Sequence, residues 1–180
     1  MNDPVIRHLT AADYTTMPWA NGLGLTTEMV RVEADGAVLW RLSLASVVAD
    51  GAFSLFPGIE RNLTVLDGPG FDLVGEGVAL ECRPLQPVAF AGDVPVSAQG
   101  VTAPSQDFNV MTARALPRPV VRVIAKPTEA RSPRKGVLCL LALGPAQAGG
   151  LMMARHDLIL SHKALQISGG PVIAVEIRLE

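Results

Sequence analysis

The chain is 180 residues long, carries a net charge of -2, and is 49% hydrophobic but only 18% charged. That length fits one domain, or two intimately packed halves, with enough chain to bury a core without staples. The composition excludes intrinsic disorder, and no basic stripe alternates with aromatics, which argues against a nucleic-acid partner.

The first element expected is a short N-terminal helix. Thr10-Ala11-Ala12-Asp13 has the form of a capping box with Asp in place of Glu, and Pro18 would stop the helix. Strands follow at 25–33 and 38–47. In the second of these, Trp40, Leu42 and Leu44 fall on one face and Arg41, Ser43 and Ala45 on the other, by the two-residue period. A strand over 61–67 aligns Arg61, Leu63 and Val65, and further strands are expected at 71–74, 78–82, 86–90, 108–112 and 119–125. Residues 126–135 read as a basic, Pro-containing connector. Beyond it, strands at 137–143, 157–160 and 164–167 lead to a closing strand in which Ile173, Val175, Ile177 and Leu179 alternate with Ala174, Glu176 and Arg178. Glycine and proline fill 17 and 14 positions, a density that breaks long helices. Asp-Gly recurs at Asp35-Gly36, Asp50-Gly51 and Asp67-Gly68 as a hairpin-turn signal. Short strands, frequent turns and almost no helix make an all-β sandwich or barrel, most economically a cupin-type jelly roll. Every aromatic residue lies between Tyr14 and Phe108, so the last third must pack with aliphatic side chains alone.

Several chemistries are missing. Metal-binding barrels converge two or three His and a carboxylate on one ion. This chain has only His8, His156 and His162, and the last two would stand about 20 Å apart on one extended strand. We therefore expect no metal, no cofactor and no assigned catalytic residue. No nucleophile elbow, phosphate loop or dinucleotide fingerprint is present. Cys82 and Cys139 lack ligand spacing and read as small buried hydrophobes. The first four residues do not begin a basic-then-apolar leader, and the longest apolar run, 137–143, is far too short to span a bilayer. These features make the cytoplasm the expected compartment, with no membrane partner.

The chemistry that is present clusters in three stretches. These are Pro18-Trp19-Ala20-Asn21-Gly22 continuing to Glu28; Trp40-Arg41-Leu42-Ser43 continuing to Phe53-Ser54-Leu55-Phe56-Pro57-Gly58 and Arg61; and Asp107-Phe108-Asn109-Val110-Met111 with Arg114. Aromatic walls with a few polar groups are what a small-molecule pocket requires, and arginine is a bidentate fork for a carboxylate. Each residue also has a plain structural reading. Trp19 and Trp40 can be core anchors, Asn21-Gly22 a turn, Glu28 a bridge to a nearby arginine, and Arg41 and Arg61 members of ion pairs. Asn109 and Ser54, between apolar neighbours, need partners that either backbone or ligand can supply. On a regular strand Trp40 and Arg41 cannot both point into one barrel, so a polar pocket would be lined by Arg41 with Trp40 behind it.

This ordered series resembles the HutD/Ves family of cupin-like proteins over roughly residues 5–125. It departs from the family pattern at Leu23, which interrupts a run of glycines, and at Ala113, which replaces the first of a basic pair. The resemblance implies a bicupin with both barrel halves in one chain, divided here as 1–125 and 126–180 with strands exchanged between the halves. It implies a metal-free, regulatory role in histidine utilisation through binding of a small carboxylate: urocanate, formylglutamate or formate. Arg41 and Arg61 would hold the anion. Asn109, Ser54, Asn21 and Glu28 would orient it, and Trp40, Phe53, Phe56 and Phe108 would wall or back the pocket. Two alternatives remain open. One is an enzyme using Glu28 for proton transfer on a histidine-pathway or sugar-like metabolite. The other is a stress-related structural module whose aliphatic half forms a homodimer.

Overall fold

The structure, a computed structural model, describes residues 6–19 and 24–180. Strand β1 (Ile6–Leu9) is followed by β2 (Thr15–Pro18), β3 (Leu25–Ala34), β4 (Ala37–Val47), β5 (Gly51–Ala52), β6 (Ile59–Asp67), β7 (Phe71–Gly75), β8 (Val78–Cys82), β9 (Val88–Ala91), β10 (Val96–Gln99) and β11 (Ser105–Ala113). The remaining strands are β12 (Val120–Ile124), β13 (Thr128–Ala130), β14 (Gly136–Ala142), β15 (Ala146–Ala148), β16 (Leu151–Met153), β17 (Leu158–Ser161), β18 (Leu165–Gly169) and β19 (Val172–Arg178).

The all-β, two-barrel expectation therefore holds, but its N-terminal helix does not. Between β1 and β2 the chain makes only a single 3-10 turn, Ala11–Asp13. The capping contact that suggested a helix is real, since the Thr10 amide donates to Asp13 Oδ2 at 2.8 Å. It closes one turn and no more. Beyond it the β-branched Thr15 and Thr16 enter a ladder with β3, and the Thr16 and Thr27 hydroxyls hydrogen-bond across it at 3.0 Å. A three-residue helix offers too few hydrogen bonds to offset its nucleation cost, and the strand pairing wins.

The chain divides into two compact units. One is the contiguous segment 15–115; the other is built from residues on either side of it, up to Tyr14 and from Leu116 onward. The contiguous unit faces a six-stranded sheet, β2-β3-β4-β11-β6-β9, with a four-stranded sheet, β5-β10-β7-β8. Its core joins Leu63, Val65 and Phe90 of the larger sheet to Phe71, Leu73, Val96 and Ala98 of the smaller. Each large apolar side chain buried there contributes about 1.5–3 kcal/mol. The β3–β4 hairpin closes on Asp35-Gly36, both left-handed (φ 51° and 77°), the backbone that a two-residue type I′ turn requires.

The second unit pairs a five-stranded sheet, β1-β17-β14-β19-β12, with a four-stranded one, β13-β18-β15-β16. Its core is aliphatic: Leu138, Leu140, Ile159, Leu165, Ile167 and Val172 meet in one cluster. In β14, Val137 through Ala142 are all buried, so this strand reads as a continuous apolar run and not as an alternation. Both cysteines are free and buried. Burial raises both thiols, that of Cys82 to about 12, which leaves them protonated and inert. Among the described residues no helix is long and apolar enough to cross a membrane.

Candidate functional site

Strand register assembles the site. β11 and β4 pair so that Asp107 lies opposite Ala45, Asn109 opposite Ser43, and Met111 opposite Arg41. On its other edge β11 places Met111 opposite Arg61 and Asn109 opposite Leu63. β3 adds Thr26 opposite Ala45 and Glu28 opposite Ser43, just before a bulge at Met29. Residues opposite one another on neighbouring strands share a face, so residues from four strands are gathered on the inner face of the larger sheet. One part of that face is filled by the apolar core. The other borders a cavity of about 290 Å³, near the lower end of the roughly 300–1,000 Å³ range of small-molecule sites. Its lining is Trp19, Thr26, Arg41, Ser43, Ala45, Val47, Ala52, Phe53, Ser54, Phe56, Asp107, Asn109 and Met111.

Charge in this cavity is organised in two layers. At the wall, Arg41 donates through Nε to Glu28 Oε2 at 2.6 Å; both side chains are largely buried, 12% and 21% exposed. Below it, Arg61 is only 6% exposed. Its guanidinium carbon lies 4.9 Å from the Phe90 ring centre, 5.2 Å from that of Phe53 and 5.3 Å from that of Phe56. Three ring faces partly replace the water this cation has lost. Arg61 Nη2 donates to Asn109 Oδ1 at 2.9 Å, and Asn109 Nδ2 donates in turn to Asp107 Oδ2. The chain ends at Asp107 Oδ1, which is buried and has no partner. Burial pushes the Asp107 carboxyl up to about 7, against the opposing pull of the Asn109 hydrogen bond, the Arg61 charge and, least, its own backbone amide. Burial likewise lowers Arg61 to about 10, with Asp107 opposing and Arg41 adding to the shift. The cavity floor therefore holds a cation that stays charged and a carboxyl that can change charge near neutrality.

Nine of the ten sequence-derived residues are described, and they separate into three groups. Arg41, Ser54, Phe53, Phe56 and Asn109 line the cavity. Arg61 and Glu28 lie one layer behind, bonded to Asn109 and Arg41 respectively. Trp40 and Phe108 are buried, 5% and 0% exposed, on the opposite face of the sheet from Arg41 and Asn109. Asn21 lies outside the described residues. Sequence reasoning placed Asp107, Ser43, Thr26 and Trp19 within the chemistry-bearing stretches but assigned none of them to the ligand site, and all four line the cavity. The signal for Asp107 was present, because it shares strand parity with Asn109 two residues later. Trp19 is fixed by its indole N–H, which donates to the Thr26 hydroxyl at 2.8 Å.

Cupin barrels often carry a metal, and the donor set here does not fit one. Among the described residues the cavity lining offers a single carboxylate, no imidazole and a guanidinium, against the several His and carboxylate ligands that such ions take. Among the described residues no three His, Cys, Asp or Glu side chains group as a metal site. His8 is bonded to Asp157 at 2.9 Å, and His162 to the Gly136 carbonyl at 2.8 Å.

Fold and site thus define a cupin-like protein with two barrel halves and a small, arginine-bearing cavity in one of them. The HutD family model matches residues 11–174, and the chain belongs to the HutD family. It is 35% identical over 135 residues to protein Ves of Cronobacter sakazakii, covering 72% of this chain and 75% of that one. It is 41% identical over 110 residues to an uncharacterised 21.2 kDa protein in the hutC 3′ region of Pseudomonas putida, a match spanning 58% of this chain and 57% of the relative's length. The fold superposes on HutD from Pseudomonas fluorescens SBW25, solved in a formate condition, with a TM-score of 0.85, 29% identity, and coverage of 96% of this chain and 99% of that one.

Proposed function

We propose that this chain is a non-catalytic binding protein for a small carboxylate, acting in the regulation of histidine utilisation in the cytoplasm. The observation that carries the reading is Arg41. Glu28 occupies its Nε–H, and no hydrogen bond from the described residues occupies Nη1 or Nη2 of this cavity-lining guanidinium. A guanidinium edge held by a carboxylate behind it, in a small cavity, suits a bidentate carboxylate. The small volume, the relative in the hutC 3′ region and the HutD structure from a formate condition support urocanate, formylglutamate or formate as the ligand. As a further part of this reading, the aliphatic unit forms a homodimer; a monomeric mass in solution would refute that part.

Thermal unfolding in the presence of each acid tests the function. At a free concentration about 100 times the dissociation constant, the true ligand stabilises the protein by about 2.7 kcal/mol. Arg41→Ala should erase that shift, and the ligand should be recovered chemically unchanged after long incubation. Absence of a shift with all three acids, or an undiminished one in Arg41→Ala, would refute the proposal.

A further inference from the structure

The polar groups of the cavity are not equally free to meet a ligand. The Thr26 hydroxyl accepts the Trp19 N–H. Asn109 is engaged at both ends, accepting from Arg61 and donating to Asp107. Arg41 has only donors to offer, and the Ser43 and Ser54 hydroxyls can turn to give or accept a proton, so they do not discriminate. That leaves Asp107 Oδ1, on a cavity-lining residue that is 1% exposed, as a buried acceptor without a donor. Such an atom already bears its desolvation cost, so an occupant that brings a donor to it gains a charge-assisted hydrogen bond that other occupants lack.

We infer that Asp107 is the specificity-determining residue of this site, selecting among small carboxylates those that also present an N–H donor, such as an imidazole or amide N–H, to the cavity floor. The inference rests on the carboxylate reading above, with Arg41 holding the anionic end and Asp107 reading the other. The charged and titratable groups around Asp107 are few. From β6 there is Arg61, from β4 Arg41, from β3 Glu28 tied to Arg41, and from β8 the Cys82 thiol, which is raised to about 12 and stays neutral. Directly opposite Asp107 the ladder places apolar Ala45 and Val65. Above neutrality Asp107 is ionised, and Arg61 is the cation that compensates its charge.

The test is calorimetry at about pH 8, above the Asp107 midpoint, with urocanate and its furan analogue furylacrylate, which keeps the carboxylate but lacks the ring N–H. The wild type should bind urocanate about tenfold or more tighter, the scale of a hydrogen bond gained to a charged group. In Asp107→Asn the new amide must turn its oxygen toward Asn109 Nδ2, which leaves its NH2 facing the cavity. The preference should then vanish or invert. Equal wild-type affinities, or a urocanate preference that survives in Asp107→Asn, would overturn the inference. If neither acid binds, the carboxylate reading has failed, and a neutral pair decides the role of Asp107. Imidazole should then stabilise the wild type more than N-methylimidazole does, with the difference lost in Asp107→Asn. Equal effects of the neutral pair would overturn the inference as well.

Discussion

Replacing Asp107 with asparagine should make the protein more stable at neutral and alkaline pH. In the folded chain the Asp107 carboxyl is raised from 3.8 to about 7, chiefly by burial. Between those values the folded state holds a proton that the unfolded state has released. This contribution to stability is therefore greatest below about pH 4, falls as pH rises toward about 7, and is flat above. At 1.36 kcal/mol per pK unit, a shift of roughly three units sets a ceiling of about 4 kcal/mol. For a chain of this length that is about 8–16 °C in melting temperature. Asp107→Asn is isosteric with the protonated acid and can still accept from Asn109 Nδ2, so its stability should lack this fall. Urea unfolding of both proteins across about pH 4–8, expressed as a difference, cancels the titrations they share. Arg61, near 10, and Asp93, held at about 2 by its hydrogen bond to Arg114, change charge outside the window. The variant should match the wild type within about 1 kcal/mol at the acid end and exceed it increasingly toward the alkaline end. A difference that does not change with pH would refute the reasoning.

Arg61→Met should destabilise the fold by about 2–4 kcal/mol in denaturant unfolding at about pH 8, because it removes the Asn109 hydrogen bond and three cation–ring contacts and leaves Asp107 uncompensated. The loss should shrink at about pH 6, where Asp107 takes up a proton; equal losses at both pH values would contradict the assignment. Glu28→Gln should tighten anion binding several-fold in calorimetry, since the Arg41 charge is then no longer shared, whereas an enzyme that used Glu28 as its base would lose turnover. Gly70→Ala should cost about 2 kcal/mol or more by denaturant unfolding: Gly70 has φ +83°, an added Cβ would lie 2.0 Å from the Cys82 carbonyl oxygen, and its amide donates to Ser105 Oγ. A stability within about 0.5 kcal/mol of wild type would show that this turn yields freely.

The long strands were legible because their pattern is long enough to have a period. Residues 25–33, 38–47 and 61–67 correspond closely to β3, β4 and β6, and the Asp35-Gly36 turn sits where its chemistry demands. β5, β13, β15 and β16 are two or three residues each, too short to carry a two-residue period. β13 even falls inside the stretch 126–135 that read as a connector; it becomes a strand because Thr128–Ala130 find partners in β18. In the site, period alone separates Arg41 from Trp40. What it could not supply was cross-strand registration. Arg61 and Asn109 are 48 positions apart in sequence, and only the pairing of β6 with β11 shows that one supports the other. The depth of Asp107 was hidden for the same reason, because its environment is made by β4 and β6 and not by its neighbours in sequence.

The division of the chain also sets an order of events during synthesis. The unit with the cavity is one uninterrupted segment, 15–115, whereas the other needs both flanks: β1 pairs with β17, and His8 bonds Asp157 across 149 positions. A ribosome working from the N-terminus releases every strand of the binding unit before it has made β12–β19. Domains generally fold as units during synthesis, so the ligand-binding barrel can close while β1 still waits for its partner. The aliphatic unit must complete last, by a long-range closure that is intrinsically slow. A nascent chain arrested shortly after β11 would already carry the whole binding cavity.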